Sequence, residues 1–110
     1  MKAYVIARAA QVTPDPEIGE YMRRIDATLA SFEGKSLAHM GAVEVVEGAW
    51  PTGIIVIEFP SPEMARAWYK SPEYQEIIPL RTRHIEMDLI IADGVEEPYS
   101  AAETADRLGF

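Results

Sequence analysis

IIVIEFPSPEMARAWYKSPEYQEIIPLR (residues 54–81) holds a strand, a stop and two helix starts, and the fold is read outward from it. Ile54 to Phe59 is a run of β-branched and aromatic residues, the signature of a strand, and Pro60 ends it because proline cannot donate to a ladder. Ser61-Pro62-Glu63 follows, with a serine N-cap, a proline at the first helical position and a glutamate at the positive end of the helix dipole. The same triplet recurs at Ser71-Pro72-Glu73. Pro72 cannot donate a backbone bond to the preceding helix and disfavours helical geometry at Ser71, so the chain turns a corner after Tyr69. Ala65, Trp68 and Tyr69 share one stripe of the first helix, which marks Trp68 as core. Tyr74, Ile77, Ile78 and Arg81 are expected past the corner, over the sheet's edge, at a pocket rim or a dimer contact.

Upstream, Lys2 to Ala10 reads as the first strand, with Tyr4, Ile6 and Arg8 on one face and Val5, Ala7 and Ala9 on the other. Asp15-Pro16-Glu17 opens a helix in which Ile18, Tyr21, Met22, Ile25, Leu29 and Phe32 recur at helical spacing, ending at Gly34 as a natural C-cap. Lys35 to Glu47 reads as a long second strand with a bulge or bend at Gly41, followed by a turn over Gly48-Ala49-Trp50-Pro51-Thr52-Gly53. Downstream, Ile85 to Ala92 is the last strand, closed by Asp93-Gly94, and Ser100-Ala101-Ala102-Glu103 is a capping box for a short terminal helix. The order βαββαβ predicts an α+β, ferredoxin-like domain over residues 1–95: a four-stranded antiparallel sheet with helices on one face. Residues 96–110 form an acidic C-terminal tail with a short helix. The uncovered sheet face calls for a ligand or a second sheet, and a homodimer with facing sheets, a dimeric α/β barrel, is the simplest cover.

The composition narrows the partners. Ten basic residues against eighteen acidic ones give a net charge of −8, a field that repels phosphate backbones and anionic lipid headgroups, so neither nucleic acid nor a membrane is expected. The absence of cysteine rules out disulfides, thiolate catalysis and cysteine-held metals. The apolar run at the N-terminus stops at Arg8, too short for a signal peptide or a membrane span, so a cytoplasmic protein is expected. His39 and His84, the only histidines, lack metal-binding spacing, and no glycine-rich phosphate loop or nucleophile elbow occurs, so no metal or cofactor is expected.

GAVEVVEGAW (41–50), IIVIEFPS (54–61) and AWYKSPEYQ (67–75), in this order and close together, resemble domain-of-unknown-function family 1330 of the dimeric α/β-barrel superfamily, from about Tyr4 to Gly94. The resemblance implies a ferredoxin-like subunit and a homodimer, and no agreed reaction. Members of the wider superfamily resemble small oxygenases acting on quinol-like aromatics, lactone isomerases, haem enzymes and stress-related proteins, so the fold alone does not decide the function. The family usually carries arginine at the position of His39, Gly-Gly at Met40-Gly41 and aspartate at Ala49. A permanent fork of donors is thus replaced here by a titratable ring.

Candidate chemistry rests on a few polar residues within apolar strands. His39 is a candidate proton shuttle or ligand contact, the alternative being a hydrogen-bonded structural residue. Glu44 and Glu58 are candidate acids or bases if apolar neighbours hold their carboxyls, the alternative for either being a salt bridge to Arg8, Arg81 or Arg83 or simple exposure at a strand end. Arg8, Trp50, Tyr74 and Arg81 are candidate ligand-binding residues. Trp50 equally suits a subunit interface, Arg81 equally suits an ion pair with Glu73 or Glu76, and His84 is expected to face solvent. The leading function is a homodimeric small-molecule-binding protein with the features of a cofactor-independent, oxygenase- or isomerase-like enzyme on a small aromatic or lactone-like compound. The alternative is a non-catalytic dimeric module whose barrel is filled by side chains, and a haem protein would need His39 or His84 as axial ligand.

Overall fold

Strand pairing follows from the alternation in each apolar run. A computed structural model describes residues 1–50 and 52–110, which form β1 (Ala3–Val12), α1 (Pro16–Ala30), β2 (Lys35–His39), β3 (Ile54–Phe59), α2 (Pro62–Lys70), α3 (Pro72–Thr82), β4 (Ile85–Asp93) and α4 (Ala101–Leu108). The sheet is antiparallel with order β2-β3-β1-β4. Ala3, Val5 and Ala7 of the central β1 stand opposite Phe59, Ile57 and Ile55 of β3, and Val5, Ala7 and Ala9 stand opposite Ile91, Leu89 and Met87 of β4. These rows face the helices. The alternate rows, Tyr4-Glu58-Ala92, Ile6-Val56-Ile90 and Arg8-Ile54-Asp88, form the face that no helix of this chain covers. Small side chains along β1 let the helix layer come close, and Ala3, Val5, Ala7 and Ala9 are all buried.

The core is organised by Trp68 on α2, which is fully buried. Its ring packs against Phe59 at 5.4 Å between centroids and against Tyr74 at 4.0 Å. Its indole N–H donates to Thr28 Oγ1 at 3.0 Å, and that hydroxyl donates in turn to the Ile25 carbonyl at 2.7 Å, so a buried polar pair ties α2 to α1 with no donor wasted. The doubled Ser-Pro-Glu acts as its chemistry dictates. Ser61 Oγ accepts from the Met64 amide, and Ser71, extended at φ −63° and ψ 143°, ends α2 and caps α3. Ser71 Oγ donates to the Trp68 carbonyl at 2.7 Å and accepts from the Tyr74 amide at 3.3 Å. One hydroxyl serves two helix ends. The corner is tight, so Tyr74 and Ile77 are buried against Trp68 in the core and not carried over the sheet's edge.

Two other boundaries differ from the sequence reading. β2 ends at His39, and the expected strand from Lys35 to Glu47 stops there because β3 begins only at Ile54, leaving later residues nothing to pair with. The break falls at Met40, whose φ is 55°, with its amide donating to the Ile54 carbonyl at 2.9 Å; the register shift in β2 lies between Ser36 and Ala38, not at Gly41. Of the expected turn, Pro51 lies outside the described residues. α1 ends at Ala30, and the left-handed residue after it is Glu33, at φ 56°. Gly34 matters for space: a Cβ there would meet Leu29 Cδ2 at 2.8 Å and Phe59 Cε1 at 2.9 Å. Past Gly94 the chain runs on to α4, which is capped by Ser100, closed by Gly109 at φ 82° and has no buried residue.

The start of α1 is moored to the start of β4. Glu17 Oε1 lies 2.8 Å from His84 Nε2, and Arg83 Nη1 donates to Glu17 Oε2 at 3.1 Å, so His84 is half-buried in a contact and not turned to solvent. The His84 hydrogen bond, followed by the Arg83 charge, holds the Glu17 carboxyl below its ordinary value of 4.5. A carboxyl whose folded pKa is depressed stabilises the fold above its unfolded pKa and loses that contribution as pH falls through the folded value. Glu17→Gln is therefore expected to lower the melting temperature at pH 7, with the difference from the parent shrinking as pH is taken below about 4.5. Ser71→Ala is expected to cost about 1–2 kcal/mol in urea unfolding, since a cap and a second hydrogen bond are lost together. Ser100→Ala, in α4, which has no buried residue, is expected to leave the unfolding midpoint unchanged.

Candidate ligand cleft

Between the sheet and the first half of α1 the helix layer does not close. A cleft of about 220 Å³ opens there, at the end of the sheet where β1 and β2 finish and β3 and β4 begin. Its walls are Ala9 and Val12 of β1, Ile18, Tyr21 and Met22 of α1, His39 and Met40 at the end of β2, Ile55, Ile85, Met87 and Arg81. Strand pairing accounts for the floor: Ala9 stands opposite Met87, and His39 opposite Ile55, all on the helix side. A smaller cavity of about 20 Å³ shares Tyr21, His39, Ile55 and Met87 and reaches inward to Tyr74 and Trp68. A broader hollow of about 500 Å³ lies at the opposite end of the sheet, beside Met1, Lys2, Gly94 and Glu96. It is lined by polar as well as apolar groups near the chain's N-terminus, whereas the cleft of about 220 Å³ is walled mainly by apolar side chains, the usual character of a ligand site.

The cleft's polar groups come from three elements. Tyr21 and Tyr74 place their hydroxyl oxygens 2.7 Å apart, with rings edge to face at 6.2 Å. Burial, then the neighbouring Tyr74 oxygen, raises the Tyr21 pKa, so the Tyr21 hydroxyl keeps its proton at neutral pH. Arg81, two helical turns beyond Tyr74 on the same face of α3, is only 6% exposed. Its guanidinium lies 5.6 Å from the centre of the Tyr21 ring, Nη1 points to Met87 Sδ at 3.6 Å, and Nε finds no acceptor among the described residues. Burial works against this charge, but the Tyr74 and Tyr21 oxygens outweigh it and raise the Arg81 pKa. No carboxylate among the described residues pairs with it. Taking such a cation out of water is costly, and with no carboxylate beside it the two tyrosine oxygens are what offsets that cost. His39 stands at the outer wall, exposed and free of side-chain hydrogen bonds among the described residues.

Of the residues the sequence singled out, the structure brings together His39, Arg81 and Tyr74. Glu58 lies on the opposite face of the sheet, where Lys2 Nζ holds it at 3.0 Å. Arg8 is on that face too, paired with Asp88 at 3.2 Å. Glu44 and Trp50 lie in the exposed segment after β2 and line no part of the cleft. Tyr21 was missed by the sequence reading because it sits on the α1 stripe that packs the core, and its hydroxyl's role shows only once α3 brings Tyr74 beside it. Asp15, Glu17 and His84 bring ligand atoms within 4.8 Å of one another, an arrangement able to hold a cation in principle. Glu17 and His84 are already bonded to each other, so the group is first of all the mooring of α1.

Comparison with known proteins agrees with this architecture. A dimeric ferredoxin-like protein of unknown function from Jannaschia sp. CCS1 superposes with a TM-score of 0.68 at 10% identity, over 86% of this chain and 100% of that one. A protein of unknown function from Rhodopseudomonas palustris gives 0.59 at 15% identity, over 86% and 83%. SnoaB, a cofactor-independent oxygenase from Streptomyces nogalater, gives 0.58 at 10% identity, over 89% and 98%. At such identities the likeness establishes the ferredoxin-like α+β fold. No curated protein matches the chain in sequence. The model of the domain of unknown function DUF1330 matches residues 2–95, and the chain belongs to that family.

Proposed function

We propose that the protein is a homodimeric small-molecule-binding protein whose ligand occupies the cleft between α1 and the sheet, and that it acts as a cofactor-independent enzyme, oxygenase- or isomerase-like, on a small aromatic or lactone-like compound. The observation that carries this reading is the cleft: an apolar hollow with Arg81, His39 and a tyrosine hydroxyl pair converging on it. A module filled by its own side chains would leave no such space. At about 220 Å³ the cleft lies below the roughly 300–1,000 Å³ of drug-sized pockets, so it suits a single ring and not a porphyrin. Chemistry without a cofactor would rest on His39 as the exposed acid or base and on the donors at the deep end for developing negative charge. The cofactor-independent oxygenase among the structural neighbours supports this class by analogy of fold.

The dimer is argued from the open face of the sheet. Ile6, Val56 and Ile90 form its central row, Ile90 is 56% exposed, and the Lys2–Glu58 and Arg8–Asp88 ion pairs flank the patch. Apolar centre and charged border are the anatomy of an interface, and the dimeric neighbours support the same assembly. Residues 1–95 make the subunit in this reading, and residues 96–110 an acidic tail beyond it. No helix among the described residues is long and apolar enough to cross a membrane, and a cytoplasmic setting without nucleic acid suits a cysteine-free chain of net charge −8.

Ile90→Lys is expected to turn a dimer into a monomer in light scattering; a parent that is already monomeric would remove the facing-sheet assembly. A thermal-shift panel of small acids, lactones and quinols is expected to yield compounds that raise the melting temperature of the parent but not of Met22→Trp, which closes the mouth of the cleft. A panel without effect on the parent counts against a ligand site. If a turned-over substrate is found, His39→Ala should lower kcat, whereas Glu58→Gln, on the far face, should not.

A further inference from the structure

We infer that the ligand of this cleft is a small organic monoanion, a carboxylate on a single ring or short branched chain, held by the guanidinium of Arg81. The inference rests on the cleft being a ligand site and goes on to assign the charge of what binds there. Its basis is a count of donors and acceptors at the deep end. Arg81 carries five N–H donors and can accept nothing. Its Nε has no partner, Nη1 meets a thioether sulfur, a weak acceptor, at 3.6 Å, and the oxygens beside it are the neutral hydroxyls of Tyr21 and Tyr74. The Tyr21–Tyr74 pair holds two hydroxyl protons, and their mutual bond consumes one, leaving another donor beside the guanidinium. The walls hold no carboxylate to receive any of these donors. The deep end therefore has a surplus of donors and one fixed positive charge, and what completes it is an acceptor bearing negative charge.

The rest of the chain makes this vacancy of acceptors specific. With eighteen acidic residues against ten basic, carboxylates are plentiful, and Arg8, Arg24, Arg66 and Arg83 each lie within 3.1–3.6 Å of one. Those four are exposed, where an ion pair contributes little. Arg81, the buried one, where pairing would matter most, is left without a protein anion. The choice of carboxylate over phosphate follows from the same walls. A single guanidinium can take both oxygens of a carboxylate side by side, whereas a phosphate dianion would need a second permanent cation or a nest of backbone amides, and besides Arg81 the cleft offers the Tyr21 hydroxyl, His39 at its outer wall and otherwise apolar Ile, Val, Met and Ala side chains.

The test compares acid with isosteric amide on the intact protein: benzoate against benzamide and phenylacetate against phenylacetamide, by thermal shift and titration calorimetry. The acids are expected to bind at least about tenfold more tightly than their amides, and Arg81→Lys to lose about tenfold of the acid affinity, with the amides unaffected, since lysine keeps the charge but not the fork. Amides that bind as tightly as acids, or Arg81→Lys binding benzoate like the parent, would overturn the inference. A response to lactones or quinols with none to the acids would overturn it too, while leaving the cleft as a ligand site. No response to any compound would overturn both.

Discussion

Pro72 is the constraint on which the rest of the molecule turns. It forbids α2 to continue, fixes Ser71 in an extended conformation, and leaves one serine hydroxyl to satisfy the carbonyl of Trp68 and the amide of Tyr74 at once. The bend that results stacks Tyr74 on Trp68 at 4.0 Å. From there the helical repeat does the rest, because Tyr74, Ile77 and Arg81 recur on one face of α3 and all three are buried. The hydroxyl of Tyr74 meets that of Tyr21 on α1, and Arg81 arrives beside them, at the end of the sheet where α1 stands away from the strands. A capping motif thus decides where a buried positive charge ends up.

Much of the fold was legible before any coordinates. Each strand but one, each helix start and the burial of Trp68 follow from local rules: alternation in Ile54–Phe59, serine caps before proline, an apolar stripe on α2. What failed was non-local. Lys35 to Glu47 has strand-forming residues throughout, but a strand needs a neighbour, and β3 begins too late to pair with anything after His39. Gly34 looked like a cap and is instead a point of close approach to Leu29 and Phe59, a demand that only tertiary packing makes.

The candidate site was legible in part for the same reason. His39 stood out as a polar residue in an apolar strand and Arg81 as a possible partner for a carboxylate, and the fold does gather them around one cleft. Glu58 and Arg8 stood out by the same criterion, yet alternation sends them to the other face, where Lys2 and Asp88 neutralise them. Strand parity was readable for each strand alone; which parity faces the helices was not. Tyr21 could have been found only by noticing that a tyrosine on a core stripe must bring its hydroxyl a partner. A ferredoxin-like fold hosts many chemistries, so the residues of the cleft, and not the architecture, distinguish this protein.

The central claim is that Arg81 is left unpaired by the protein so that a ligand anion can pair with it. The most direct measurement is the Arg81 Nε–Hε resonance in a proton–nitrogen correlation spectrum of the intact protein, followed during titration with benzoate and assigned through Arg81→Lys. The account predicts that this resonance shifts and its solvent exchange slows as benzoate saturates, while the paired Arg8 and Arg83 resonances stay in place. A resonance at Arg81 that stays fixed while benzoate binds elsewhere would contradict it.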